Sequence, residues 1–228
     1  MKTVLLKLSG ELVTPQHKTH LLSIIKQLKQ LQKTHQFAMV IGGGNIFRAR
    51  KEGTEFKLTQ QTADSIGMLA TIMNGLILQE YLTQNGIPAL CLSAIAIPSL
   101  IKNITQETIT TALNEKKCII FVGGTGNPFF TTDTNAVLRA LQINATEIWK
   151  ATTIDHIYTD DPTKNSRAKP LSHITYTDVI KKQLHFMDLT AITLAQQHTV
   201  TIRFFNAFNN NALLKVARDT KFGSTVSK

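Results

Sequence analysis

Cysteine is nearly absent: 228 residues hold two, Cys91 and Cys118, with no CxxC spacing. That excludes a sequence-adjacent zinc site, shows no disulfide framework, and suits a reducing compartment. No apolar run approaches the ~20 residues needed to span a bilayer. The opening Met1-Lys2-Thr3-Val4-Leu5-Leu6-Lys7 carries too short an apolar stretch for a signal peptide, so a cytoplasmic protein without a membrane partner is expected. Several catalytic signatures are missing as well. No Gly-Lys-Ser or Gly-Lys-Thr occurs, so there is no Walker A loop, and Phe47 stands where G-x-G-x-x-G requires its third glycine. There is no G-x-S-x-G elbow of the α/β-hydrolase type. The seven histidines show no metal-ligand spacing beyond His17 and His20, which lie in a polar stretch, and all read as structural or solvent-facing. Acidic residues are few, 15 against 25 Lys and Arg, which leaves a net charge of +10. Such a balance attracts polyanions or phosphorylated small molecules. The lysines are scattered (Lys26, Lys29, Lys33, Lys116, Lys117, Lys181, Lys182) and not interleaved with aromatics, which disfavours nucleic acid as the partner.

What is present is an ordinary globular composition, 43% hydrophobic and 18% charged, in a chain long enough to bury a core unaided. Apolar runs over 3–8, 37–41, 87–92, 118–122, 147–151 and 200–205 read as strands. Helical spacing recurs between them. Leu21, Ile24, Ile25, Leu28 and Leu31 form one stripe, and Ile66, Leu69, Ala70, Met73, Ile77 and Leu78 mark a long helix over 62–82. Further helices are expected over 105–113, 133–141, 176–182, 189–197 and 212–217, with an edge strand in the tail at 223–226. Strands apolar on both faces, alternating with helices, indicate an α/β fold with a mostly parallel sheet covered on both sides. No linker or internal repeat divides the chain, which reads as a single domain.

In such sheets ligands bind beyond the carboxyl ends of the strands, and the glycine-rich segments fall there. Lys7-Leu8-Ser9-Gly10 combines a lysine with a turn whose amides can cradle phosphate oxygens. Gly42-Gly43-Gly44 carries a large backbone entropy cost that close approach of a ligand would explain, and Arg48 follows within reach of a phosphate. Around Gly123-Gly124-Thr125-Gly126-Asn127-Pro128-Phe129-Phe130-Thr131-Thr132-Asp133, Thr132 or Asp133 is expected to cap a helix whose N-terminus suits an anion. Phe129 and Phe130 read there as core contacts. Lys150 ends the next strand and can balance phosphate charge. Asp160-Asp161-Pro162 either holds Mg²⁺ through water or merely opens a turn.

These pieces resemble the bacterial-type uridylate (UMP) kinases of the amino-acid-kinase superfamily along nearly the whole chain. The matching segments are Lys7-Leu8-Ser9-Gly10-Glu11, Ile41-Gly42-Gly43-Gly44-Asn45-Ile46-Phe47-Arg48, Gly67-Met68-Leu69-Ala70-Thr71, 124–133, Lys150-Ala151-Thr152, Tyr158 with Asp161-Pro162, and 200–206. The run over 124–133 is the most specific. The resemblance implies a three-layer αβα sandwich, with an acceptor-binding part roughly over 1–145 and an ATP-binding part over 146–228. It implies transfer of the γ-phosphoryl of ATP to UMP with Mg²⁺, in a cytoplasmic homohexamer activated by GTP and inhibited by UTP. Lys7, Arg48 and Lys150 would serve catalysis. ATP would be held by Lys7, Ser9, Gly10, Gly44, Arg48, Thr152, Tyr158 and Asp161. UMP would be held by Gly43, Asp64, Thr125, Gly126, Asn127, Pro128, Phe129, Phe130, Thr131 and Thr132.

Three features depart from the family pattern. The usual glycine-rich insert is cut to Leu12-Val13-Thr14-Pro15-Gln16-His17, Gln60 replaces a common arginine, and His156 replaces a usual glycine. Two alternatives stand beside this reading: a superfamily kinase with a carboxylate or carbamate acceptor, and a basic nucleic-acid-binding or regulatory protein.

Overall fold

The computed structural model describes residues 1–228. Eleven strands and eight helices alternate along the chain. β1 (Lys2–Leu8), α1 (Lys18–Leu31), β2 (His35–Ile41), α2 (Glu52–Glu55), α3 (Gln60–Gln84), β3 (Ala89–Ser93), β4 (Lys102–Asn103), α4 (Gln106–Asn114), β5 (Cys118–Val122) and α5 (Thr132–Gln142) come first. They are followed by β6 (Glu147–Thr152), β7 (Ile157–Tyr158), β8 (Pro170–Leu171), β9 (His173–Thr175), α6 (Tyr176–Lys181), α7 (Leu189–Gln197), β10 (Thr201–Asn206), α8 (Ala212–Arg218) and β11 (Ser224–Ser227). Nine strands form one sheet in the order β4-β3-β5-β2-β1-β6-β10-β11-β9, and β7 pairs with β8 alone. Every pairing in the large sheet is parallel except β10 with β11.

Alternation along the strands builds the layers. Val4, Leu6 and Leu8 of β1 pack with α1, α3 and α8, whereas Leu5 packs on the opposite face with α4, α5, α6 and α7. The same division separates Phe37, Met39 and Ile41 from Ala38 and Val40, and Ile120 and Val122 from Ile119 and Phe121. All these side chains are buried, which contributes roughly 1.5–3 kcal/mol for each one larger than alanine. The αβα sandwich expected from the sequence is this arrangement. No helix is long and apolar enough to cross a membrane.

The tail is the one strand placed differently from expectation. β11 lies inside the sheet, antiparallel to β10 and parallel to β9, which takes the edge. Gly223 allows this reversal: its φ is +75°, and a Cβ there would sit 2.2 Å from the Phe204 carbonyl oxygen. The edge strand β9 has three residues, too few for alternation to declare it.

Chain direction also sets where chemistry can sit. β1 is flanked on one side by strands that precede residue 123 and on the other by strands that follow residue 146. The order therefore reverses between β1 and β6, and a crevice opens beyond their carboxyl ends.

Candidate active site

Lys7 and Lys150 stand opposite each other on β1 and β6 at that crevice. Strand periodicity turns both toward the α5 face, because Leu5 and Ile148, their i−2 neighbours, belong to that layer. Two adjacent ammonium groups require a counter-charge, and Asp133 supplies it from the first turn of α5. Its Oδ2 accepts from Lys150 Nζ at 2.6 Å and its Oδ1 pairs with Lys7 Nζ at 3.3 Å. Lys150 Nζ also donates to the Phe186 carbonyl at 2.6 Å. Burial alone would push the Asp133 carboxyl up, but the charges of Lys7 and Lys150 together outweigh it and hold the group below its ordinary value. Burial pulls Lys150 down to about 8, against the opposing pull of Asp133. Its side chain is 7% exposed, so the expected free phosphate-facing lysine is a buried, paired one.

A cleft of about 460 Å³ opens beside Lys7. It brings together Lys7, Ser9, Gly10, Gly43, Gly44, Arg48, Asp64, Phe130, Thr131 and Thr132, all expected at a site from sequence. α3 organises its rim. Buried Asn74 donates to the Gly42 carbonyl at 2.7 Å and exchanges hydrogen bonds with Asn45, while the Thr71 hydroxyl accepts from the Gly123 amide at 2.9 Å. The triple glycine therefore has a packing reason beside any ligand. A Cβ on Gly43 would lie 2.8 Å from the Gly67 carbonyl oxygen and 3.0 Å from the Thr71 amide nitrogen, both backbone of α3. Gly43→Ala is expected to destabilise the fold by about 1–3 kcal/mol through this overpacking, as read by chemical denaturation. An unchanged midpoint would leave ligand approach as the only reason for that glycine.

Arg48 closes the mouth of the cleft. Its Nη2 pairs with Glu11 Oε1 at 2.5 Å and its Nε donates to the Gly44 carbonyl at 2.9 Å. Asp64 accepts from the Phe129 amide at 2.8 Å and from Gln60 at 2.7 Å, so the residue that departs from the family pattern orients this carboxylate. The loop over 123–131 carries left-handed backbone at Gly123, Gly124, Gly126 and Phe129. Phe129 and Phe130 are 70% and 50% exposed, so the expectation of core contacts fails: the loop holds both rings away from either core layer. Thr125 and Asn127 face a neighbouring groove between α5 and α7, shared with Phe130. Gly126 and Pro128 lie along the same loop. The helix cap differs too, for Thr131, not Thr132 or Asp133, caps α5 by accepting from the Asp133 and Thr134 amides. Asp133 is thereby free to face the lysines.

Tyr158 and Asp161 line a second cleft of about 550 Å³, with His156, Lys164, Lys182, Phe186 and Phe204. Thr152 lines neither cleft and closes a turn with Ile154. Of the two readings of the Asp pair, the turn is what forms. Asp160 accepts from Asn165 and the Asp161 amide, and Asp161 from the Thr163 amide and hydroxyl. His156 Nδ1 sits 3.1 Å from the Gly223 carbonyl oxygen, tying this cleft to the turn before β11. Phe186 lines the second cleft, and its carbonyl accepts from Lys150.

The sequence profile of the amino acid kinase family matches residues 2–206. The chain belongs to that family. Among its relatives, a uridylate kinase of Francisella tularensis subsp. holarctica is 38% identical, covering 100% of this chain and 94% of its own. One from Magnetococcus marinus is 40% identical over 95% of this chain and 92% of its own. In solved structures the chain is similar to UMP kinase from Ureaplasma parvum, with a TM-score of 0.92, 31% identity and coverage of 100% and 99%. It is also similar to UMP kinase from Bacillus anthracis, at 0.93, 29%, 99% and 96%.

Sequence reasoning passed over two residues of this amino-acid-kinase site. Asp133 was legible only as a helix cap, although a carboxylate was owed wherever Lys7 and Lys150 met. Glu11 stood out only as the end of a matching segment, because its partner Arg48 lies 37 positions away, beyond the glycines that follow β2.

Proposed function

We propose that this chain transfers the γ-phosphoryl group of ATP to UMP, forming UDP and ADP. The observation that carries the proposal is Asp133 bridging Lys7, which lines the first cleft, and Lys150 behind it. The uridylate kinase relatives and UMP kinase structures support the acceptor. The acceptor phosphate is already ionised, so no general base is required. The reaction needs neutralised charge and in-line placement of two anions, which fixed cations and amides supply. Lys7 reaches the cleft and Lys150 adds charge from behind. Arg48 exchanges Glu11 for a phosphate, which makes it the third catalytic cation.

UMP occupies the first cleft against Gly43, Asp64, Phe130, Thr131 and Thr132, with Thr125, Gly126, Asn127, Pro128 and Phe129 enclosing the base. ATP runs from Lys7, Ser9, Gly10, Gly44 and Arg48 toward Thr152, Tyr158 and Asp161. The acceptor part spans roughly 1–145 and the donor part 146–228, meeting where β1 pairs with β6. No group of three His, Cys, Asp or Glu side chains forms a cation cage. Mg²⁺ would come with the donor phosphates and add to the neutralisation of their charge. The protein works in the cytoplasm as a homohexamer. Leu69, Met73 and Ile77, exposed four residues apart on α3, favour a contact between copies there. GTP activation and UTP inhibition follow from the family resemblance, with the short segment after Glu11 as the place where GTP response would be altered.

ADP release measured against UMP, dUMP, CMP, acetylglutamate and carbamate, with and without GTP, tests this. UMP should give the highest kcat/KM; turnover with acetylglutamate or carbamate alone would overturn the proposal. Acidity provides a second check. Lys150 loses its proton at about 8 in the folded chain but near 10.5 ordinarily, so between those values the unfolded chain binds more protons. Stability owed to this group therefore rises with pH across that window. Activity moves the other way, since the cation disappears. We expect kcat/KM to descend through about pH 8 while the melting temperature does not descend with it. A parallel fall of both would assign the pH dependence to unfolding.

A further inference from the structure

Asp188 touches neither cleft, yet its carboxylate is committed on three sides. Oδ1 accepts from the Thr134 hydroxyl at 2.8 Å and from the Ala191 amide at 2.9 Å, the latter capping α7. Oδ2 accepts from the Thr131 hydroxyl in a short hydrogen bond. Thr131 is in turn the cap of α5, taking the Asp133 amide at 3.0 Å. Two residues before Asp188, the Phe186 carbonyl takes Lys150 at 2.6 Å. One short segment thus holds the helix start that carries Asp133 and one of the lysines that Asp133 bridges.

Capping α7 does not require a charge, because Asn and Ser cap as well as Asp. The carboxylate adds two things an amide lacks. It offers a second acceptor, needed because the Thr131 oxygen already receives amides and must donate its proton elsewhere. It also supplies a negative charge. At the seam two lysines face one carboxylate, and Asp188 is the next anion whose charge bears on Lys150.

We propose that Asp188 is a positioning residue for phosphoryl transfer, fixing the start of α5 so that Asp133 meets both lysines and balancing their residual charge. Its kinetic consequence rests on the kinase reading above; its placement of the lysines does not. Lys150 is faced by Asp133, Lys7 and Asp188. Burial and Lys7 favour its neutral form, and the two carboxylates oppose them.

The test compares Asp188→Asn with Asp188→Ala in the full chain. Asp188→Asn keeps the α7 cap and should melt close to the unmodified protein, whereas Asp188→Ala should melt lower. In Asp188→Asn, kcat for ADP formation with UMP should fall about 10- to 100-fold, the scale of a small misplacement of reacting groups, with both KM values little changed. The Lys150 titration, followed by NMR of protein carrying ¹³C-labelled lysine, should move to lower pH. An unchanged kcat in folded Asp188→Asn overturns the proposal, as does a loss that merely tracks melting temperature across both variants. If the unmodified protein shows no UMP-dependent turnover, the kinase reading falls, and the Lys150 titration alone decides the placement: a shift sustains it and no shift overturns it.

Discussion

Asp133→Asn should lower kcat by about 10³-fold, the upper end of what removing a preorganised electrostatic group costs. The substitution preserves shape but removes the only charge between two cations. An amide offers one oxygen, so one lysine keeps an acceptor and the other faces an NH₂ group. Lys7 and Lys150 are paired in register on adjacent strands and cannot separate without breaking the sheet. Lys150, the more buried, is expected to give up its proton, since the Asp133 charge is what holds its proton affinity up against burial. That relieves part of the roughly 3–5 kcal/mol that an uncompensated buried charge would cost. Stability should therefore fall moderately while catalysis falls steeply. Steady-state kinetics beside thermal melts separate the two effects, and a kcat within tenfold of the unmodified enzyme would place the bridge outside the reaction.

Lys7→Ala should lower kcat by at least about 10²-fold with little loss of stability. The contrast with Asp133 comes from what each deletion leaves behind. Without Lys7, Asp133 retains its hydrogen bond to Lys150 at 2.6 Å, so no buried charge is abandoned. What disappears is the one cation of the bridge that lines the first cleft. Lys7→Arg should not restore activity, because a planar fork does not replace a compact ammonium in this space. A raised KM with unchanged kcat would show that Lys7 binds ground state and transition state alike, and would reject its role in the transition state.

Much of the architecture was legible in residue order. The strand runs at 3–8, 37–41 and 118–122 are buried on both faces, so they read as continuous apolar segments and the parallel sheet followed from them. The helix expected over 105–113 forms as α4, and the structure shows Thr105 and Thr108 as its reciprocal cap. The glycine segments at the ends of β1, β2 and β5 were readable because the chain had to turn there. Two-residue strands such as β4, β7 and β8 gave no pattern, since two residues cannot alternate. Phe129 misled for a related reason. Its ring suggests burial, but a backbone φ of 71° in the loop directs the chain away from the core.

Residue order alone was enough for the layers, the strand ends where glycine and lysine collect, and the family resemblance. All of these depend on periodicity and local turn chemistry, which act over a few residues. It took the folded chain to make Lys7 and Lys150 neighbours, to stand Asp133 between them with Asp188 behind, and to pin the glycine loops with Asn74 and Thr71 of α3. Those relations depend on which strands pair and which helix covers them. Charges far apart along the chain interact only when packing removes the water between them, and that distance is set by the fold as a whole.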